Sequence, residues 1–147
     1  MRHGNAEHNA QSDSARQLTR QGIAECEIMA QVLAPNKSLI RKIIASPYIR
    51  AQQSAQVMSD ALGGLAIETS ELITPDIPSA FAVRELEALV SDGALLVSHL
   101  PLVSSMVSLL VDGHSQASYP FVTASCAHLN GEYWSEGGLS LQQFFHP

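Results

Sequence analysis

Positive charge is scarce in this chain. Eight Lys and Arg stand against 14 Asp and Glu, a formal charge of -6 over 147 residues. A nucleic-acid binder needs a basic footprint to displace counterions, so nucleic acid is not an expected partner. Cysteine is nearly absent as well: Cys26 and Cys126 lie far apart with no Cys-x-x-Cys spacing. That indicates neither a zinc site nor a disulfide framework, and both are expected as buried, reduced thiols. His8, His114, His128 and His146 lack any His-x-x-x-His spacing, and no metal is expected. No apolar run approaches the roughly 20 residues of a membrane-spanning helix, and Met1-Arg2-His3-Gly4-Asn5 is too polar for a signal peptide. The chain reads as soluble and cytoplasmic, with no membrane partner.

What is present is ordinary globular material, 46% hydrophobic and 15% charged, in a length that suits one domain, residues 1–147. Ile23, Cys26, Met29, Ala30 and Leu33 recur at helical spacing after Thr19, a natural N-cap, with Pro35 as the stop. Lys42–Ala45 is a short β-branched run. It leads through Ser46-Pro47 into Ala51, Ser54, Ala55, Met58 and Leu62 at helical spacing, ended by Gly63-Gly64. Ala66-Ile67 and Leu72-Ile73 are strand candidates, and Ala80 to Val90 carries Val83, Leu86, Leu89 and Val90 on one helical face. Ala94 to Ser98 is a continuous apolar run of the kind buried on both faces, and Pro101 opens a helix through Leu110. Phe121–Ser125 and Ala127–Asn130 read as closing strands, with a turn at Gly131-Glu132 and a short tail. Alternating strands and helices imply a three-layer α/β/α sandwich around a mostly parallel sheet.

In such sheets ligands collect at the carboxyl ends of the strands. Three polar clusters occupy such places: Arg2-His3-Gly4, Ser46 to Gln53 with Arg50, and Ser98-His99-Leu100-Pro101. Together they supply two arginines and two histidines. Guanidinium forks bind phosphate oxygens bidentately and imidazole can attack phosphorus, chemistry that requires no metal. Gly4 would let the backbone approach a phosphate, and helix N-termini near Tyr48 and Pro101 would add amide donors.

Arg2-His3-Gly4 is also the signature of the histidine phosphatases, which this sequence resembles. An isolated triplet arises by chance in on the order of one in a hundred chains of this length. Here it is followed in order by Ser12 to Thr19 with Gly22, by Ser46 to Ser54, and by Val97 to Val103. Those blocks are similar to the short bacterial phosphohistidine phosphatases of the SixA type over nearly the whole chain. The resemblance implies a phosphoglycerate-mutase-like fold and a cofactor-free phosphatase. It makes His3 the nucleophile that becomes a phosphohistidine intermediate, and makes Arg2, Arg50 and His99 the phosphate pocket, with His99 pairing as an imidazolium. Asp13 and Arg16 border the pocket, or else form an exposed ion pair of little consequence. The implied substrate is a phosphohistidine protein such as a histidine phosphotransfer domain. A small-molecule phosphomonoesterase of the same fold, or a non-catalytic phosphoprotein-binding module, are the alternatives.

Two features depart from the family. Mutase-like relatives carry a Glu proton donor on an extended segment, where this chain has only the short stretch from Leu72 to Asp92, with Asp76, Glu85 and Glu87. An alkoxide leaving group wants such a donor more than a ring-protonated imidazole does, so a phosphoramidate substrate is favoured. The family also places a short apolar strand ahead of Arg-His-Gly, and here only Met1 precedes Arg2. Without that strand, interior backbone groups are expected to lack partners and His3 to be weakly positioned.

Overall fold

The computed structural model describes all residues 1–147. Helix α1 spans Arg20–Leu33, with the Thr19 hydroxyl accepting from the Gly22 amide as its cap. Strand β1 is Lys42–Ala45, helix α2 Ile49–Leu62, strand β2 Ile67–Thr69, helix α3 Ser79–Leu86, strand β3 Ala94–Val97 and helix α4 Leu102–Asp112. Strands β4, Cys126–Asn130, and β5, Ser140–Phe145, close the chain. No helix is long and apolar enough to cross a membrane.

The three central strands are parallel in the order β2-β1-β3. Side chains alternate across a strand, and the core divides accordingly. Ile43, Ala45, Leu95 and Val97 pack with Cys26 and Met29 of α1 and Ala55 and Met58 of α2. Ile44 faces the other way, into Ala82 and Leu86 of α3 and Leu102 and Met106 of α4. Helices thus cover both faces, as expected of the sandwich. Both cysteines are buried and unpaired.

Four elements differ from the sequence reading. Leu72-Ile73 lies in a 3₁₀ turn, Glu71–Ile73, rather than a strand. Helix α3 stops at Leu86, short of Val90, and Leu89 and Val90 form a turn onto the Leu86 carbonyl. Phe121–Ser125 is a turn, with Ala124 at φ 58° and its amide donating to the His3 carbonyl. The segment wraps around the first residues of the chain instead of joining a ladder. The expected tail is β5, antiparallel to β4; Gln142 and Gln143 disguise the alternation.

The N-terminal residues run along the free edge of β3. The Met1 amino group donates to the Leu96 carbonyl at 2.7 Å, the Ser98 amide to the Met1 carbonyl at 3.0 Å, and the His3 amide to the Ser98 carbonyl at 3.0 Å. Arg2 also donates its amide to the Ser125 carbonyl at 2.9 Å. His3 is therefore held on both sides without a full strand ahead of it, a firmer placement than the sequence suggested. Next to Met1, a cavity of about 740 Å³ separates β3 from β4, with Leu39, Leu95, Val103, Cys126 and Phe145 in its wall. A backbone group left unpaired at such an edge costs about 1–3 kcal/mol where water cannot replace the partner. Fusing five or six β-branched residues ahead of Met1 should fill this groove and raise the melting temperature and specific activity together. Equal melting temperatures with and without the extension would mean that the groove closes by another route.

Candidate active site

The site forms where three backbone segments end side by side. His3 follows the short pairing on β3, Arg50 is the second residue of α2 just beyond β1, and His99 lies two residues past β3. His3, Arg50 and His99 are all buried. The His3 and His99 rings lie 5.0 Å apart between centroids. The structure thus brings together residues separated by nearly 100 positions in sequence.

The protonation of His3 follows from its neighbours. Nδ1 lies 2.7 Å from the Gly4 carbonyl, which can only accept, so Nδ1 carries the hydrogen. Nε2 then presents a lone pair, and Arg50 Nε donates to it at 3.1 Å. Burial pushes the His3 pKa down to about 4; the Gly4 carbonyl opposes this, and the charges of Arg50, Arg2 and Arg16 add to it. The ring is a free base with its reactive nitrogen turned into the pocket.

Arg50 is fixed from the other side by the loop that precedes α1. Its Nη1 donates to the Asp13 backbone carbonyl at 2.5 Å and its Nη2 to Asp13 Oδ2 at 2.9 Å. Asp13 Oδ1 accepts from Arg16 Nη1 at 3.0 Å. Burial, the largest single influence, opposes ionisation of Asp13, but hydrogen bonds and charge from Arg16 and Arg50 together hold its carboxyl below the usual range. The Asp13–Arg16 pair is exposed, as one of the two sequence readings had it, yet Asp13 also reaches the buried Arg50. Beside them a cavity of about 290 Å³ is lined by His8, Ala10, Ser12, Asp13 and Arg16.

Only two buried side-chain nitrogen or oxygen atoms in the chain lack a hydrogen-bond partner, Arg2 Nε and His99 Nδ1. Buried polar groups are otherwise satisfied almost without exception in folded proteins, so this coincidence singles out the pocket. Arg2 Nη1 is held by the Phe121 carbonyl at 2.9 Å. His99 Nε2 pairs with the Ser46 hydroxyl at 2.8 Å. Burial, followed by the charges of His3 and Arg50, pushes the His99 pKa down to about 3. By themselves the surroundings therefore keep His99 neutral, and the expected imidazolium would need the charge of a bound anion beside it.

Gly4 has a different task from the one expected. A Cβ on it would meet the Gly22 carbonyl at 2.4 Å, and its amide donates to Ser54 Oγ at 3.1 Å. The missing side chain admits helix α1 rather than a ligand, with no Cβ on Gly22 either, where Asn5 O would lie 2.0 Å away. Ser46, Tyr48 and Ser54 lie in the block read from the sequence, which gave their side chains no role. Tyr48 packs edge-on to His99, with the Arg50 guanidinium 5.0 Å over its ring. Their position next to Arg50 was the available signal.

A three-layer sandwich with a free-base histidine, two arginines and a second histidine at its strand ends defines a class of phosphoryl-handling enzymes. Residues 1–74 match the family model of the histidine phosphatase superfamily (branch 1), and the chain belongs to that superfamily and is a hydrolase. Its relatives include the phosphohistidine phosphatase SixA of Escherichia coli. That protein is 33% identical over 146 residues, covering 97% of this chain and 89% of the relative. The SixA homolog of Haemophilus influenzae is 35% identical over 131 residues, covering 81% and 79%. A solved structure of the protein histidine phosphatase SixA complexed with tungstate has a TM-score of 0.87 at 31% identity, covering 99% of this chain and 94% of that one.

The lowered pKa values have a consequence for stability. The unfolded chain binds protons at its histidines near pH 6.5, whereas folded His3 and His99 take them up only near 4 and 3. Between those limits the unfolded state holds more protons, so stability is full above pH 6.5 and falls as the pH drops. At pH 5 each ring should cost about 2 kcal/mol, since one pKa unit is about 1.36 kcal/mol. Urea unfolding at pH 7 and pH 5 checks this, and His99→Asn should make the decline shallower. A decline as steep in His99→Asn as in the wild type would show that His99 is not held neutral by its surroundings.

Proposed function

We propose that the chain is a metal-independent phosphohistidine phosphatase whose nucleophile is Nε2 of His3, acting on a phosphohistidine protein such as a histidine phosphotransfer domain. The observation that carries this reading is the pair of buried, unpartnered nitrogens, Arg2 Nε on the residue before His3 and His99 Nδ1 on the ring 5.0 Å from His3, together with the His3 lone pair. A tetrahedral oxyanion supplies the acceptors they lack. The tungstate bound to a SixA relative is such an anion, and the Escherichia coli relative is a phosphohistidine phosphatase.

Phosphate binding draws on Arg2, on the two N–H donors of Arg50 that remain free of its five, and on His99. With the Ser46 hydroxyl donating to Nε2, the neutral His99 ring offers its Nδ1 hydrogen to a phosphate oxygen. Arg50 Nε must release His3 Nε2 before attack, and the phosphoryl oxygens give it a better partner. Nε2 then forms a bond to phosphorus, the phosphorus–nitrogen bond of the substrate breaks, and its electron pair stays on the departing imidazole. The His3 ring keeps its Nδ1 hydrogen on the Gly4 carbonyl and carries the positive charge of the intermediate. Nucleophile and leaving group are both imidazoles, so this transfer is nearly balanced in energy. Water next attacks phosphorus, the electron pair returns to Nε2, and the water proton leaves with phosphate. The arginines supply the positive charge that a metal provides elsewhere. The short region from Leu72 to Asp92 holds a 3₁₀ turn and α3, with Glu85 and Glu87 exposed.

His3→Ala should abolish turnover, and an acid-labile, alkali-stable phosphoryl adduct should form on the wild type but not on the variant. Normal turnover by His3→Ala would overturn the assignment. Arg50→Ala should lower turnover about a hundred- to thousandfold, the usual cost of removing a donor to transition-state charge. It should also weaken inhibition by vanadate. Unchanged vanadate inhibition would place Arg50 outside the pocket.

A further inference from the structure

The Asp13 carboxylate stands at the open side of the pocket, and nothing in the phosphate-binding scheme uses it. It is tied through Arg50 to the reactive nitrogen of His3, by contacts of 2.9 Å and 3.1 Å. Its side chain is 55% exposed, whereas that of Arg50 is 4% exposed. In-line displacement sends the leaving group away from the nucleophile, that is, from buried His3 toward the mouth. Asp13 itself lines, with His8, Ala10, Ser12 and Arg16, a cavity of about 290 Å³ that has room for a five-membered ring. We propose that Asp13 determines specificity by accepting a hydrogen bond from the distal ring N–H of the leaving imidazole, so that the phosphorus–nitrogen bond breaks from the ring-protonated substrate.

This rests on the phosphohistidine phosphatase reading and names how the leaving group is handled. Each carboxylate oxygen has two lone pairs, and in Asp13 each is engaged by one arginine. Acceptor capacity is left for a ring N–H. The paired arginines keep Asp13 ionised, so it has no proton to give to an alkoxide. It can stabilise a leaving group that already carries its own proton. When the phosphorus–nitrogen bond breaks, the electron pair goes to the ring nitrogen that bore phosphorus. The hydrogen on the distal nitrogen stays in place, and the product is neutral imidazole. No proton needs to be transferred in this step. Charge also balances: Arg2, Arg16 and Arg50 against Asp13 leave a surplus of two positive charges for a dianionic phosphoryl group.

The test compares two probes, N-phosphoimidazole and p-nitrophenyl phosphate, whose nitrophenolate departs with no N–H for Asp13 to hold. In Asp13→Asn, the ratio of kcat/KM for phosphoimidazole to that for p-nitrophenyl phosphate should fall at least tenfold. The basic limb of the phosphoimidazole pH profile should also move to lower pH, because the bound ring loses its anionic partner. Asp13→Glu should recover part of the ratio. Loss of Arg50 positioning alone would lower both rates in proportion, and an unchanged ratio would overturn the proposal, whatever happens to the absolute rates. A wild type that hydrolyses p-nitrophenyl phosphate but not phosphoimidazole would overturn the phosphohistidine reading itself. A wild type active on both, with the ratio kept in Asp13→Asn, would overturn only the role of Asp13.

Discussion

The Arg50 guanidinium is the constraint on which the rest of the site depends. One edge donates to Nε2 of His3, and the other holds both the backbone and the carboxylate of Asp13. Its stem is buried at the start of α2, where Ser54 closes on the Arg50 carbonyl and also accepts the Gly4 amide. One side chain therefore sets the distance between the N-terminal segment, the loop before α1 and helix α2. It also caps the His3 lone pair.

That arrangement works because burial and positive charge act in the same direction on the histidines. Both rings are stripped of water and lie near arginines, so both stay neutral. A neutral His3 keeps a lone pair on Nε2, and a neutral His99 is still a hydrogen-bond donor or acceptor, depending on its tautomer. The charge needed to hold a phosphoryl group comes from arginines, which do not lose their protons in proteins. The two residue types thus differ in state: the arginines carry charge and the histidines stay neutral.

Met1 to His3 make three backbone hydrogen bonds to β3 and the residue after it, and the turn around Ala124 closes over the His3 carbonyl. The site is anchored while the adjoining groove between β3 and β4 stays open. Pairing with Ser98 on one side and Ala124 on the other fixes His3.

The sequence by itself determined the parts whose causes are local. Thr19 marked the cap of α1, the β-branched run marked β1, the apolar run marked β3, and Gly63 marked the end of α2. The Arg-His-Gly triplet and the two later blocks also pointed to His3, Arg50 and His99, because strand ends are where such sheets present polar groups. Tertiary structure decided what depends on distant partners. The Phe121–Ser125 segment reads as a strand until the N-terminal residues take its backbone groups, and Gly4 reads as a ligand contact until α1 is seen against it. The charge state of His99 and the reach of Asp13 to Arg50 were likewise invisible. Burial and the sum of nearby charges are properties of the assembled pocket, and no window of sequence contains them.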